Sequence, residues 1–239
     1  MNKQVFILGA SSDIGIETVK IFLSNNWNVI AHFNDNAKNL KILQKKNKNR
    51  IKLLKINFKD IKKATKVIND NKKIFKDISS FVSLIGYLKT NNSKKINFES
   101  IIEHIKINYF SNIIVLNELK GIMLKKNFGR VLLSSSIGTK FGGSDLTYAY
   151  SLSKFMNEFI PFQYKKIYAK TIIYNVLQIG VTKTKIHDKI KKKNMNKRRE
   201  LIPTKKIANP SEVANKIFFL GSEKNTLIHG QLINISGGE

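Results

Sequence analysis

The sequence predicts an α/β protein, a doubly wound sheet of seven parallel strands with helices on both faces. Short apolar runs alternate with longer stretches of helical periodicity along the whole chain. No linker, internal repeat or low-complexity tail interrupts that alternation, so residues 1–239 are expected to form a single domain. The expected strand order is 3-2-1-4-5-6-7, which places a site at the carboxyl ends of the strands.

The first strand is read over 4–8, QVFIL. The turn Gly9-Ala10-Ser11-Ser12-Asp13-Ile14-Gly15 follows, then a helix through about Asn25. Glycines let backbone approach a pyrophosphate, and amides at a helix N-terminus bind it. A turn without a ligand has the same pattern. Asp13 is placed as a helix N-cap. The second strand is read over 28–33, NVIAHF, with His32-Phe33-Asn34 at its tip and Asp35 just beyond. A lysine-rich helix is expected over 36–48, the third strand over 51–56, a helix over about 60–75 and the fourth strand over 79–85.

One long helix is expected from about Glu99 to Lys125, with Asn108 inside it. Asparagine is a poor helix former, so a buried one needs a reason; the alternative is a surface Asn in an Asn-rich chain. A fifth strand begins at Val131-Leu132-Leu133 and breaks at three serines. The helix after it is read on to about Tyr168, kinked by Pro161. The sixth strand is read over 171–178, TIIYNVLQ. A very basic stretch, 185–206, precedes a helix opening at Asn209-Pro210, with proline near its first turn. A last strand lies within HGQLINISGGE.

A chain of 239 residues with 42% hydrophobic content can bury a large core. With no cysteine, disulfides, thiolate chemistry and cysteine-based metal sites are excluded, and no metal site is expected. No apolar run approaches the ~18 residues that span a membrane. MNKQVFILGA enters a strand at once, leaving no room for a signal peptide, so a cytoplasmic location is the default. The net charge of +27 suggests a polyanionic partner. Lys, Asn and Ile, however, crowd every segment, and all three have A/T-rich codons. Compositional drift is therefore the preferred explanation, and nucleic acid is a disfavoured partner.

The chemistry gathers in 129–154, GRVLLSSSIGTKFGGSDLTYAYSLSK. Tyr150 and Lys154 stand four apart, on one helical face. A free tyrosine titrates near ~10, and an adjacent ammonium favours its phenolate. Ser136, at the strand end, donates to the same point in space. Together these groups make a proton donor and an anchor for a carbonyl oxygen.

Strand, serine, glycine-containing loop and Tyr-x-x-x-Lys resemble the active-site segment of the short-chain dehydrogenase/reductase family, and the resemblance extends over the whole chain. It implies a Rossmann fold and reduction of a carbonyl by NAD(P)H, or the reverse oxidation. By resemblance Tyr150 donates the proton, Ser136 holds the substrate oxygen (with Ser135 as fallback), Lys154 also binds the nicotinamide ribose, and Asn108 completes a water relay. The Ser136-to-Tyr150 interval is 14 residues, one longer than the family's, so the loop must bulge. Tyr148, the rival tyrosine, has Leu152 rather than Lys four residues on.

The cofactor motifs are altered. Of Thr-Gly-x-x-x-Gly-x-Gly the chain keeps Gly9 and Gly15, with Leu8 for Thr and Asp13 for the middle glycine. Asn-Asn-Ala-Gly becomes Ser83-Leu84-Ile85-Gly86, and Pro-Gly-x-x-x-Thr becomes Ile179-Gly180-Val181-Thr182-Lys183-Thr184. The resemblance thus implies cofactor contacts from Gly9, Ser11, Ser12, Asp13, Ile14, Gly15, Asn34, Asn57, Phe58, Ser83, Gly86, Gly180, Thr182 and Thr184, besides Tyr150 and Lys154. An acid at the second strand's tip would repel a 2′-phosphate. Its absence favours NADP(H) over NAD(H), with Lys38 or Lys41 supplying charge. The substrate lid is expected at about 183–206.

The nearest pattern within the family is that of 3-oxoacyl-carrier-protein reductases, which makes the substrate a small carbonyl or alcohol that can ride on a carrier protein. Lys170 and the lid lysines, Lys191, Lys192 and Lys193 among them, would then steer an acidic carrier. Sugar, polyol or secondary-alcohol dehydrogenase is the alternative. A non-catalytic cofactor-binding or nucleic-acid-binding protein is the alternative of another class. Family members of this size usually form homotetramers or homodimers, here through the helices of Asn108 and Tyr150 and the last strand.

Overall fold

Every residue of QVFIL and ISSFVS is buried, so these strands are covered on both faces. A computed structural model, which describes residues 3–90, 97–190 and 194–239, has that arrangement. Its strands are β1 (Gln4–Leu8), β2 (Asn28–Phe33), β3 (Ile51–Lys55), β4 (Ile78–Ser83), β5 (Gly129–Ser136), β6 (Ile172–Ile179) and β7 (Leu232–Ile235). All pair in parallel, in the order β3-β2-β1-β4-β5-β6-β7, as expected from the sequence.

The helices are α1 (Asp13–Ser24), α2 (Lys38–Lys46), α3 (Ile61–Asp70), α4 (Phe98–Ile105), α5 (Ser111–Lys125), α6 (Tyr148–Phe155), α7 (Met195–Glu200) and α8 (Pro210–Gly221). One core packs Phe22, Leu40, Val213 and Ile217 of α1, α2 and α8 on the sheet. The other packs Phe75, Val115, Leu119 and Met123 on the opposite face. Among the described residues, no helix is long and apolar enough to cross a membrane.

Three expectations change. The N-cap of α1 is Ser12, whose Oγ accepts from Gly15 N at 3.0 Å; Asp13 is the first helical residue. The helix expected over 99–125 is interrupted by a π turn, Lys106–Phe110, between α4 and α5. Asn108 lies in that turn and is fully buried. Its side chain binds the backbone of the segment after β4, which gives the wider turn a role. The helix expected to reach Tyr168 stops at Phe155. A 3-10 turn, Met156–Glu158, follows, and Phe159 is extended. Pro161 explains the stop, because its ring disfavours helical backbone at Ile160 and it has no N–H to donate. A separate π turn then covers Gln163–Ile167. In the basic stretch a 3-10 turn, Lys185–Lys189, and α7 are formed, while Lys191, Lys192 and Lys193 lie outside the described residues.

Candidate active site

A cleft of about 1810 Å³ runs along the carboxyl ends of the strands. At one end lies the glycine turn. Gly9 has φ +79°, and a Cβ there would come within 2.8 Å of the Leu84 backbone. A Cβ on Gly15 would approach Gly9 O to 2.4 Å. Glycine is thus required at both positions for the turn to lie flat between β4 and α1. Gly9, Ser11, Ser12, Asp13 and Ile14 line the cleft, whereas Gly15 is packed behind them.

The tip of β2 lies at the nucleotide end of the cleft. His32 is buried, and burial lowers its pKa to about 4. It is therefore neutral and does not read a phosphate by charge. Its Nδ1 accepts from Gly9 N at 3.0 Å, which leaves Nε2–H to donate to Ile56 O at 3.0 Å. The imidazole is a strut that fixes the glycine turn to β2 and β3. Asn34, Asp35 and Lys38 face the cleft, with Asn34 donating to the Asp35 carboxylate at 2.6 Å. Asn57 and Phe58 also line it; Asn57 Oδ1 accepts from Lys59 N at 2.9 Å.

After β4, Gly86 lines the cleft, while Ser83 is buried beneath it with an unpartnered hydroxyl. Asn108 holds the neighbouring Tyr87 twice. Its Oδ1 accepts from Tyr87 N at 2.7 Å, and its Nδ2 donates to Tyr87 O at 2.9 Å and to Ser153 Oγ at 2.9 Å. The Asn108 carbonyl accepts from Asn112 Nδ2 at 3.1 Å and Asn157 Nδ2 at 3.0 Å. The asparagine is thus fully engaged and does not line the cleft. His104 adds a third tie, accepting from Lys89 N at 3.2 Å through Nε2 while Nδ1 donates to Ser100 O at 2.6 Å. Sequence reasoning missed His32 and His104 as struts, because nothing in spacing distinguishes a buried histidine from an exposed one.

At the other end, Ser136, Tyr150 and Lys154 meet. The Tyr150 phenol is hydrogen-bonded to Ser136, which lowers its pKa, but burial dominates and raises it to about 12. The expectation that Lys154 would pull that pKa down is corrected: burial lowers Lys154 itself to about 7. Its Nζ donates to Ile85 O at 3.0 Å and Ser134 Oγ at 2.9 Å. Ser134 and Ser136 share one side of β5, two residues apart, and face Lys154 and Tyr150 one helical turn apart. That parity was available in the sequence and points to Ser134. Ser135 faces the other way, donating to the Glu158 carboxylate. The rival Tyr148 is exposed.

Gly180, Thr182 and Thr184 complete the wall beyond β6. Thr182 is braced by His187, whose Nε2 donates to Thr182 O at 2.8 Å. Asp13 Oδ2 accepts from Lys185 N at 2.8 Å, tying the glycine turn to the start of the basic stretch.

The residues present fit a dinucleotide. The turn presents Ser11, Ser12, Asp13 and Ile14 to the cleft, and the first amides of α1 have no partner inside the helix, although Ser12 Oγ takes that of Gly15. Asp13 and Asp35 are adverse charges at this end of the cleft, opposed by Lys38 and Lys185 on the same cleft.

A nucleotide turn and a Ser–Tyr–Lys cluster on one cleft of a doubly wound sheet define a dinucleotide-dependent oxidoreductase. Residues 9–239 match the family described as Enoyl-(Acyl carrier protein) reductase. The chain belongs to this family of short-chain dehydrogenases/reductases, a class of NAD(P)-dependent enzymes acting between carbonyl and alcohol. A 3-oxoacyl-[acyl-carrier-protein] reductase of Buchnera aphidicola is 31% identical over 135 residues, 56% of this chain and 55% of that protein. That alignment therefore spans about half the relative's length. The corresponding reductase of Rickettsia conorii is 25% identical over 237 residues, 99% of this chain and 96% of its own. Among solved structures, ElxO with NADP bound superimposes with a TM-score of 0.85 at 22% identity, covering 100% of this chain and 98% of the other.

Proposed function

We propose that this chain reduces a carbonyl to a secondary alcohol with NADPH, and that its substrate is a 3-oxoacyl group carried on an acyl-carrier protein. The observation that carries the reading is the meeting of Ser136, Tyr150 and Lys154 on one cleft with the glycine turn. A phenol raised to about 12 keeps its proton at neutral pH and can give it to an oxygen that becomes basic as the carbonyl is reduced. Ser136 donates a hydrogen bond to the same oxygen and orients it. Lys154, buried and near pH 7 in pKa, can hold or release a proton beside the tyrosine. Bound there, the cofactor supplies the hydride. The glycine turn, the first amides of α1, Asn34 and Lys38 would hold its phosphates and ribose, and Gly180, Thr182 and Thr184 its nicotinamide end.

NADP(H) is preferred because no acid occupies the last positions of β2 and Lys38 faces the cleft; ElxO, of the same fold, was solved with NADP. The carrier-bound substrate is supported by the named activity of the relatives in Buchnera and Rickettsia. We propose further that residues 1–239 are one domain with its substrate lid at about 183–206, working in the cytoplasm. The chain exposes several large apolar side chains. Phe98, Ile102, Phe155 and Phe159 lie on α4 and at the end of α6, Phe219 lies on α8, and Leu227 and Leu232 lie between α8 and the end of the last strand. Exposed apolar side chains at more than one place suit a homotetramer, and light scattering giving a monomer at micromolar concentration would count against it.

The decisive assay is NADPH oxidation with β-ketoacyl thioesters, free and carrier-bound, beside ketoses and simple ketones. The proposal expects turnover with the thioesters at a kcat/KM at least ~10-fold above the others. Preference for a ketose would move the substrate to sugars or polyols. No turnover with any carbonyl would leave a non-catalytic cofactor-binding protein.

A further inference from the structure

Ser136 must hold its hydroxyl within hydrogen-bond range of both Tyr150 and the substrate oxygen, yet it sits at the last position of β5, where the ladder to β6 ends. The turn after it, Ile137–Thr139, leads into a loop with two glycines in the left-handed region, Gly142 at φ +68° and Gly143 at φ +81°. Such a segment has little intrinsic stiffness. Something must hold it.

Glu158 is placed to do so. The carboxylate accepts from Ser135 Oγ, from Thr139 Oγ1 at 2.6 Å and from Gln178 Nε2 at 3.3 Å. Gln178 also donates to Thr139 Oγ1 at 2.9 Å, and Thr139 Oγ1 lies 2.8 Å from Ser136 O. Ser135 and Gln178 are register partners across β5 and β6, and both are buried. One carboxylate therefore grips the residue before Ser136, the third residue after it and the neighbouring strand. Charge-assisted hydrogen bonds of this kind are about twice as strong as neutral ones. Glu158 reaches the far side of β5 because α6 stops at Phe155 and the chain turns through Met156–Glu158.

Resting on the function proposed above, we infer that Glu158 is a positioning residue: it seats Ser136 against Tyr150 and commits Ser135 to a structural bond.

The test has two readouts. Hydrogen–deuterium exchange of 137–143 needs no substrate, and steady-state kinetics does. Glu158→Ala is expected to speed exchange in that segment and to lower kcat by up to ~10²-fold, the loss a misplacement near 1 Å can cause. KM for NADPH should change less than ~3-fold, since the nucleotide half is untouched. Glu158→Gln, which keeps an acceptor, should recover part of both losses. In a cycle with Ser136→Ala, adding Glu158→Ala should cost no further kcat, because the group it positions is already gone. If Glu158→Ala does not fold, Glu158→Gln is read alone in the same cycle, with a several-fold loss expected that disappears in the Ser136→Ala background. Unchanged exchange, or full additivity with Ser136→Ala, overturns the inference. Faster exchange in Glu158→Ala beside a wild type that turns over no carbonyl would fault the proposed function while leaving the clamp in place.

Discussion

The half of the sheet built from β1 to β4 and the half built from β5 and β6 meet in one cleft but use their residues differently. In the first, the working groups are backbone: the Gly9 turn, the first amides of α1 and the Gly86-Tyr87 segment. Side chains act behind them as struts, His32 on Gly9 N, Asn108 on both polar groups of Tyr87, His104 on Lys89 N. In the second, the working groups are side-chain atoms themselves, the Ser136 hydroxyl, the Tyr150 phenol and the Lys154 amine. A backbone surface can be held by many combinations of struts, so its motifs drift. A proton donor cannot be replaced by a different group of similar shape, so its residues stay recognisable.

The largest expected effect sharpens the second half of that comparison. Tyr150→Phe keeps the ring and its packing and removes only the proton. It should lower turnover by at least ~10²-fold, the usual worth of a general acid, in an NADPH-oxidation assay. Retention of most activity would remove Tyr150 from the chemistry.

This division also explains what could be read in advance. The doubly wound parallel sheet followed from alternation, whereas its strand order and the roles of Ser136, Tyr150 and Lys154 followed from a spacing that resembles the family's active-site segment. The role of Asn108 was only half legible. Poor helix propensity marked it as unusual, but its partner, Tyr87, is distant in sequence and no local signal links the two. His32 was legible only as part of the second strand's tip, and nothing in its spacing marks it as buried. It is 3% exposed and turns inward to Gly9. Glu158 was hidden by the expectation of a helix running on to Tyr168, which would have kept it clear of the far side of β5.

A smaller effect concerns Lys154, where function and stability oppose each other. Its folded-state pKa is lowered from 10.5 to about 7 by burial. Between those values the unfolded chain holds a proton that the folded chain has released, so stability rises with pH. The cost is full below pH 7 and vanishes above about 10.5. Lys154→Met should therefore be more stable than the wild type at pH 7, by about 1–3 kcal/mol once the lost bonds to Ile85 O and Ser134 Oγ are allowed for. Urea denaturation should show the gap closing towards pH 10, while turnover is lost throughout. A variant less stable than the wild type at pH 7 would mean that those hydrogen bonds outweigh the burial of the amine.

The most direct measurement of the division is the rise in Tm produced by saturating NADPH, compared across the wild type, Ser136→Ala and His32→Phe. Ser136→Ala removes a side chain of the proton-transfer half and should keep the whole shift while losing turnover. His32→Phe keeps an aromatic ring beside Phe58, whose centroid lies 5.4 Å from that of His32, but removes the acceptor for Gly9 N. It should weaken NADPH binding by up to ~10-fold, the worth of one hydrogen bond that orders the turn, and shrink the shift at the same NADPH concentration accordingly. The reverse pattern, a shift lost in Ser136→Ala and retained in His32→Phe, would contradict the account.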